Sequence, residues 1–174
     1  MKQTMERTAG ALKPISPEAI PRALQKAERY RLLNQSWATE SICLDLLEVD
    51  PRNQGVIIMY LLSLTDQFGA EPAALAARAH AALAGITDPY QRHYYNGIIE
   101  ERLGHAKLEH GAMHAESIAY RLLTAAMASY EQAEALRQPG NDDAILRWNT
   151  CARTLERLRL ESEGDVVEEP QFGE

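Results

Sequence analysis

The sequence is short of cysteine, of aromatic residues and of any long apolar run, and each shortage removes a class of protein. Two cysteines in 174 residues cannot build the disulfide framework of a small secreted domain. Cys43 and Cys151 each fall within an apolar helical pattern that suits a buried free thiol. No run of about 18 apolar residues occurs, so no membrane-spanning helix is expected. The opening "MKQTMERTAGALKPIS" lacks the apolar segment of a secretory signal, and a cytoplasmic address follows as the expectation. A basic surplus is missing too. The formal charge is -7, and Glu161, Glu163, Asp165, Glu168, Glu169 and Glu174 supply six of those charges with no basic residue among them, leaving -1 for the rest of the chain. So neutral a body offers no positive field to a phosphate backbone, and no nucleic-acid partner is expected.

Chemical signatures are equally scarce. There is no G-x-x-x-x-G-K-[ST] loop, no G-x-G-x-x-G turn, no zinc-finger cysteine pairing and no G-x-S-x-G elbow. One constellation stands out, "HAKLEHGAMHAES", which gathers His105, His110 and His114 with Glu109 and Glu116. Residues four apart on one helix face can share a metal, but Gly111 interrupts the helix that this spacing needs. The three histidines therefore read as a solvated cluster in an exposed connection, and neither metal nor cofactor is expected. A helical metal-binding protein or enzyme built on His105, His110 and His114 is the alternative. Tyr90, Tyr94 and Tyr95 with His93 could stack nucleobases; against the near-neutral body they read as space-filling rings.

What is present is helix. "SPEAIPRALQKAERYRLL" offers Ser16 as N-cap and Pro17 at the first helical position, with Pro21 tolerable only within the first turn. Asn34 suits the left-handed residue that closes this helix, and Ser36 the cap of the next. Asp50-Pro51 ends that second helix, because proline disfavours helical geometry in the residue before it. "NQGVIIMYLLSLTDQF", "AEPAALAARAHAALAG", "DPYQRHYYNGIIEERLG", a long stripe over residues 113–138 and "DDAILRWNTCARTLERLRL" complete the set. Gly85 and Gly104 are expected as stops. No strand alternation is found. The expectation is an all-α domain of about seven helices over residues 16–161, preceded by a flexible segment 1–15 and followed by an acidic disordered tail 162–174.

The paired helices repeat. "ALQKAERYRLLNQSWATESICLDLLEVDP" resembles one tetratricopeptide repeat, with Ala27 at a close helix approach, Tyr30 packed inside, Leu46 on the second helix and "EVDP" as the ending. A second unit, from residue 54 to about 89, carries Ala73, Ala76, Ala77 and Ala81 as small packing residues, but Leu61 where glycine or alanine is usual. A third carries Gly97, "RLG" at 102–104 and "ASYEQAEALRQP", with roughly fifteen residues more than the period of about 34. "AILRWNTCARTL" resembles the first helix of a fourth unit. The resemblance covers about residues 18–160. It implies a short right-handed α-α superhelix, and a non-catalytic interaction module binding a protein or peptide partner in a concave groove.

Carried over from that family, the groove positions include Leu24, Arg31, Ile58, Leu62, Tyr94, Ile98, Glu101 and Trp148. The apolar members imply an amphipathic helix or apolar segment as ligand, with Arg31 and Glu101 at the rim; the alternative is that these apolar side chains meet one another as core. The lysine-asparagine-arginine clamp for acidic C-termini is not matched, since Leu24 and Glu28 occupy its first-unit positions. The length of the 113–138 helix leaves Ile118 and Leu122 in need of cover, for which a second copy in a homodimer is the simplest source.

Overall fold

Proline, asparagine and aspartate set the helix boundaries. The structure, a computed structural model, describes residues 12–69, 71–111 and 114–160. Most of the expected lead-in, residue 161 and the whole of the expected tail 162–174 lie outside the described residues. Seven α-helices are found among the described residues, with no strand: α1 (Ile20–Leu32), α2 (Ser36–Val49), α3 (Gln54–Thr65), α4 (Pro72–Leu83), α5 (Pro89–His110), α6 (Ala115–Leu136) and α7 (Asp143–Leu158). None of them is long and apolar enough to cross a membrane.

Two expected starts shift. Pro17–Ala19 form a 3-10 turn with no side-chain cap from Ser16, and α1 begins after it. Pro21 therefore lies in the first turn, where its missing N–H has no helical acceptor to lose. Ser36 is the first residue of α2 rather than its cap, and its hydroxyl donates instead to Asp66 Oδ2 at 3.4 Å. Asn34 does take the left-handed conformation, at φ 57°. The Gln35 N–H then reaches back to the Tyr30 carbonyl at 2.9 Å, closing α1 in a Schellman turn. Asn53 caps α3 by accepting from the Val56 N–H at 3.2 Å, and Asp88 caps α5 by accepting from that of Gln91 at 2.7 Å.

The helices pack in chain order, each against its neighbours, in a solenoid-like arrangement. The buried apolar residues accordingly fall into three clusters. Ala27, Cys43, Leu46 and Val56 hold α1 and α2 to the start of α3. Ile57, Leu61, Leu64, Phe68, Ala76, Ala79, Ile86 and Ile99 hold α3 and α4 to α5. Ala119, Leu123, Ala126, Tyr130, Ala133, Ala144 and Cys151 hold α6 to α7. Ala27 is fully buried, and the Thr39 hydroxyl donates to its carbonyl at 2.9 Å, so the small residue and the short bond together fix the α1–α2 approach. Gln54 ties the next layer. Its side chain donates to the Gly85 carbonyl at 3.2 Å and accepts from the Thr87 N–H at 2.9 Å.

The third pair departs from expectation most. Gly104 does not stop α5; it is buried within it, where an added Cβ would lie 3.3 Å from Leu123 and 3.4 Å from Leu122. The helix runs on to His110 and ends at Gly111, in the left-handed conformation at φ 58°. The surplus residues are thus extra turns on both α5 and α6, each 22 residues long, and not an exposed connection. Leu122 is half-buried beside Gly104 of α5, and Ile118 is half-buried as well. On α4 the buried alanines are Ala76 and Ala79, whereas Ala73, Ala77 and Ala81 are exposed, because the apolar seam follows 72, 75, 76, 79 and 82–83.

Gly97 carries the tightest contact. A Cβ there would collide with the Tyr130 ring, so the fully buried ring of α6 lies directly on bare α5 backbone. Gly97→Ala should therefore cost about 3 kcal/mol, lowering the melting temperature by about 10 °C in a chain of this size. At Gly69 an added Cβ meets nothing within 4 Å, and Gly69→Ala should melt within about 2 °C of the parent in the same calorimetric experiment.

Candidate functional site

The first helices of consecutive pairs touch, α1 with α3 and α3 with α5, and no packing of comparable extent joins α2 to α4 or α4 to α6. The face formed by α1, α3 and α5 is thus the tighter side of the array, and three ion pairs join first helices to one another, Arg147 of α7 included.

Asp66, just past the end of α3, is their hub. The Arg31 Nε donates to Asp66 Oδ2 at 2.6 Å and its Nη2 to Oδ1 at 3.2 Å. From α5, the Arg102 Nη1 donates to Asp66 Oδ1, to Thr65 Oγ1 at 2.6 Å and to the Leu62 carbonyl at 3.4 Å. One carboxylate therefore joins α1, α2, α3 and α5. Burial pulls the Arg102 guanidinium below its ordinary range, Asp66 opposes this, and the positive charges of Arg31 and Arg147 reinforce it. Arg31 and Arg147 thus both lie within electrostatic reach of Arg102.

A second polar group sits deeper. Glu101 is only 3% exposed, so it lines no rim. It accepts from the Tyr130 hydroxyl at 2.6 Å, and the Arg147 Nε lies 3.1 Å from its Oε2 as a charge contact without hydrogen-bond alignment. Burial, followed by the adjacent Glu101 charge, pushes the Tyr130 phenol well above its usual range. The same two causes push the Cys151 thiol up to about 12, and Cys43 reaches about 12 by burial and the nearby Glu40. Both thiols are buried and free, as the sequence implies.

The remaining groove positions divide. Ile98 is buried and offers nothing to a ligand. Leu24 packs against the Ala27–Val56 cluster, Ile58 against the central one, and Tyr94 and Trp148 against the cluster around Tyr130. Tyr94 stacks on Tyr90 at 5.9 Å and meets Tyr95 edge-on at 5.2 Å. The Trp148 indole donates to Glu131 at 3.0 Å. Each of these half-buried side chains thus packs against a buried cluster of the chain itself. Tyr30 is only half-buried, with the Lys26 ammonium 5.8 Å from its ring centre; among the described residues it lines the surface instead of filling the interior.

Sequence reasoning missed the main exposed apolar feature. Leu32 is 76%, Leu33 60% and Trp37 69% exposed, all at the α1–α2 turn. A polar cleft lined by Arg31, Asn34, Ser36 and Asp66 lies on one side and a second cleft, between Tyr30, Trp37, Ala38 and Ile42, on the other. The signal available was Trp37 one position after Ser36: a Trp in a first helical turn, off the seam of Thr39, Cys43 and Leu46. Of the histidines, His105 lies within α5 and His114 has a left-handed backbone before α6; the His110 side chain lies outside the described residues. No group of three or more His, Cys, Asp or Glu among the described residues is placed to hold a metal.

Two measurements follow from the buried pair of polar groups. Tyr130→Phe removes a donor from a buried carboxylate and should cost about 2 kcal/mol in urea unfolding, whereas Tyr95→Phe should change stability by less than about 0.5 kcal/mol. With pKa values of about 12, only about one thiol in ten thousand is ionised at pH 8. Native protein should leave a thiol reagent unconsumed at that pH, and both cysteines should react once the chain is unfolded. Comparison with protein-family models, curated proteins and solved structures finds no match to this chain.

Proposed function

We propose that the chain is a non-catalytic interaction module, a short helical-repeat scaffold of tetratricopeptide type that holds a protein partner. Supporting the repeat reading, α1, α3 and α5 begin at residues 20, 54 and 89, which are 34 and 35 apart and match the family's period. The observation that carries the interaction reading is the apolar corner of Leu32, Leu33 and Trp37. An indole 69% exposed contributes little to this chain's own core, and exposed tryptophan with leucine beside it is the composition of a binding anchor. The flanking clefts differ in character, one floored by the Arg31–Asp66 pair and the other by Tyr30 and Ile42. A partner segment with one apolar and one polar side, such as an amphipathic helix, suits such a corner.

The anchors in this reading are Trp37, Leu32 and Leu33, with Arg31 beside them, in place of the half-buried Tyr94 and Trp148. The test is affinity capture from extract of the native cell with parent and Trp37→Ser baits. The parent should enrich a partner at least tenfold over the variant while the two baits melt within about 2 °C of each other. Equal recovery on both baits would remove the corner as the binding surface.

A further inference from the structure

Between α5 and α7 lies a cleft of about 490 Å³ lined by His105, Thr150, Arg153, Thr154 and Arg157, large enough for several side chains instead of one small ion. No lining residue is acidic. Arg153 and Arg157, one turn apart on α7, are exposed and form no ion pair among the described residues, unlike Arg31, Arg78, Arg102, Arg137 and Arg147, each of which lies against a carboxylate. The threonine hydroxyls are already committed, Thr150 to the Leu146 carbonyl and Thr154 to that of Thr150, both at 2.9 Å. The cleft's free donors are therefore the two guanidinium groups and the His105 ring, a set that selects carboxylates.

The geometry points to this chain's own acidic segment 161–174 as the occupant: we propose that its carboxylates dock intramolecularly onto Arg153 and Arg157 and cover the α5–α7 end of the first-helix face. Three observations commit the site to that occupant. Leu160 is buried against the Tyr130 cluster, and its N–H bonds back to the Leu155 carbonyl at 3.1 Å after a left-handed Arg159. The segment therefore departs from the end of the helix that forms the cleft wall. It carries six carboxylates and no basic residue. It is also long enough. Fourteen residues reach roughly 45 Å when extended, and residues 150–157 occupy only about 10 Å of helix. Tethering supplies an effective concentration in the millimolar range, enough for a contact too weak to survive between separate molecules. Such docking reserves the cleft for ligands able to outcompete the tethered carboxylates. It is independent of the partner proposed for the Trp37 corner, from which it differs in residues, helices and charge.

Paramagnetic broadening in the full chain tests the docking. Because Cys43 and Cys151 are buried, a spin label on Phe172→Cys attaches at one place. In dilute buffer, amide signals of His105 and residues 150–157 should broaden severalfold more than the rest of the chain. That difference should vanish on Arg153→Glu with Arg157→Glu, and in about 0.5 M salt, which shortens the screening length below 5 Å. Glu161, Glu163, Asp165, Glu168 and Glu169 changed to their amides gives the same test from the other partner and leaves α7 untouched. Broadening that persists in the charge-altered chains, or that centres elsewhere, overturns the proposal. So does broadening that appears equally in a mixture of labelled and isotope-enriched copies, since it would place the segment on a second molecule.

Discussion

The contact of the Tyr130 ring with the bare backbone of Gly97 governs the C-terminal half of this molecule. Helix axes can come this close only where one of the two facing residues has no side chain, and here the other is a fully buried aromatic. The ring's position then dictates its hydroxyl's, and the hydroxyl reaches Glu101 one turn further along α5. Glu101 in turn lies against Arg147 of α7. A steric requirement at one residue is thereby passed through a phenol and a carboxylate to a third helix. Apolar packing alone leaves rotation and sliding of such helices weakly specified.

Asp66 plays the corresponding part between the two halves, by different means. Its partners are partly exposed, so solvent screens the pairs and each adds little to stability. What the arrangement supplies is geometry. Arg31, Ser36 and Arg102 must approach one carboxylate from three helices, and only one relative placement of the first pair and α5 permits it. The outer side has its own tie, where Arg78 of α4 donates to Glu40 of α2 and to the Tyr60 hydroxyl of α3 at 2.7 Å. Polar ties of low individual strength thus join apolar layers that make little contact beyond their neighbours.

Much of the architecture was legible from the residues because it is written locally. Asn34, Asp50-Pro51, Asp88-Pro89 and the apolar seams act within a few positions of themselves, and the helices they delimit are those found. Gly104 misled for an instructive reason: a glycine that ends one helix and one that admits a neighbour look alike until the neighbour is known, and here Leu122 and Leu123 of α6 decide the matter. The candidate site was less legible. Asp66 meets its arginines 35 and 36 residues away, separations that no helical period announces. Glu101 reads as a surface residue until Tyr130 is folded over it. For the family-derived groove positions, which side chains remain uncovered depends on how far the array closes on itself.

The unequal helix lengths bear on how the chain acquires its order. With 22 residues each, α5 and α6 bury more against one another than any other pair, and the short turn around Gly111 makes the loop-closure entropy of bringing them together small. In an array whose units contact only their neighbours, structure propagates outward from the pair that forms most readily. The hairpin is then the seed, and α1 with α2 the growth end, attached through α3 and released first when conditions weaken. Trp37, Leu32 and Leu33 sit on that growth end, so any ligand held there would also tighten the part of the molecule most prone to fray.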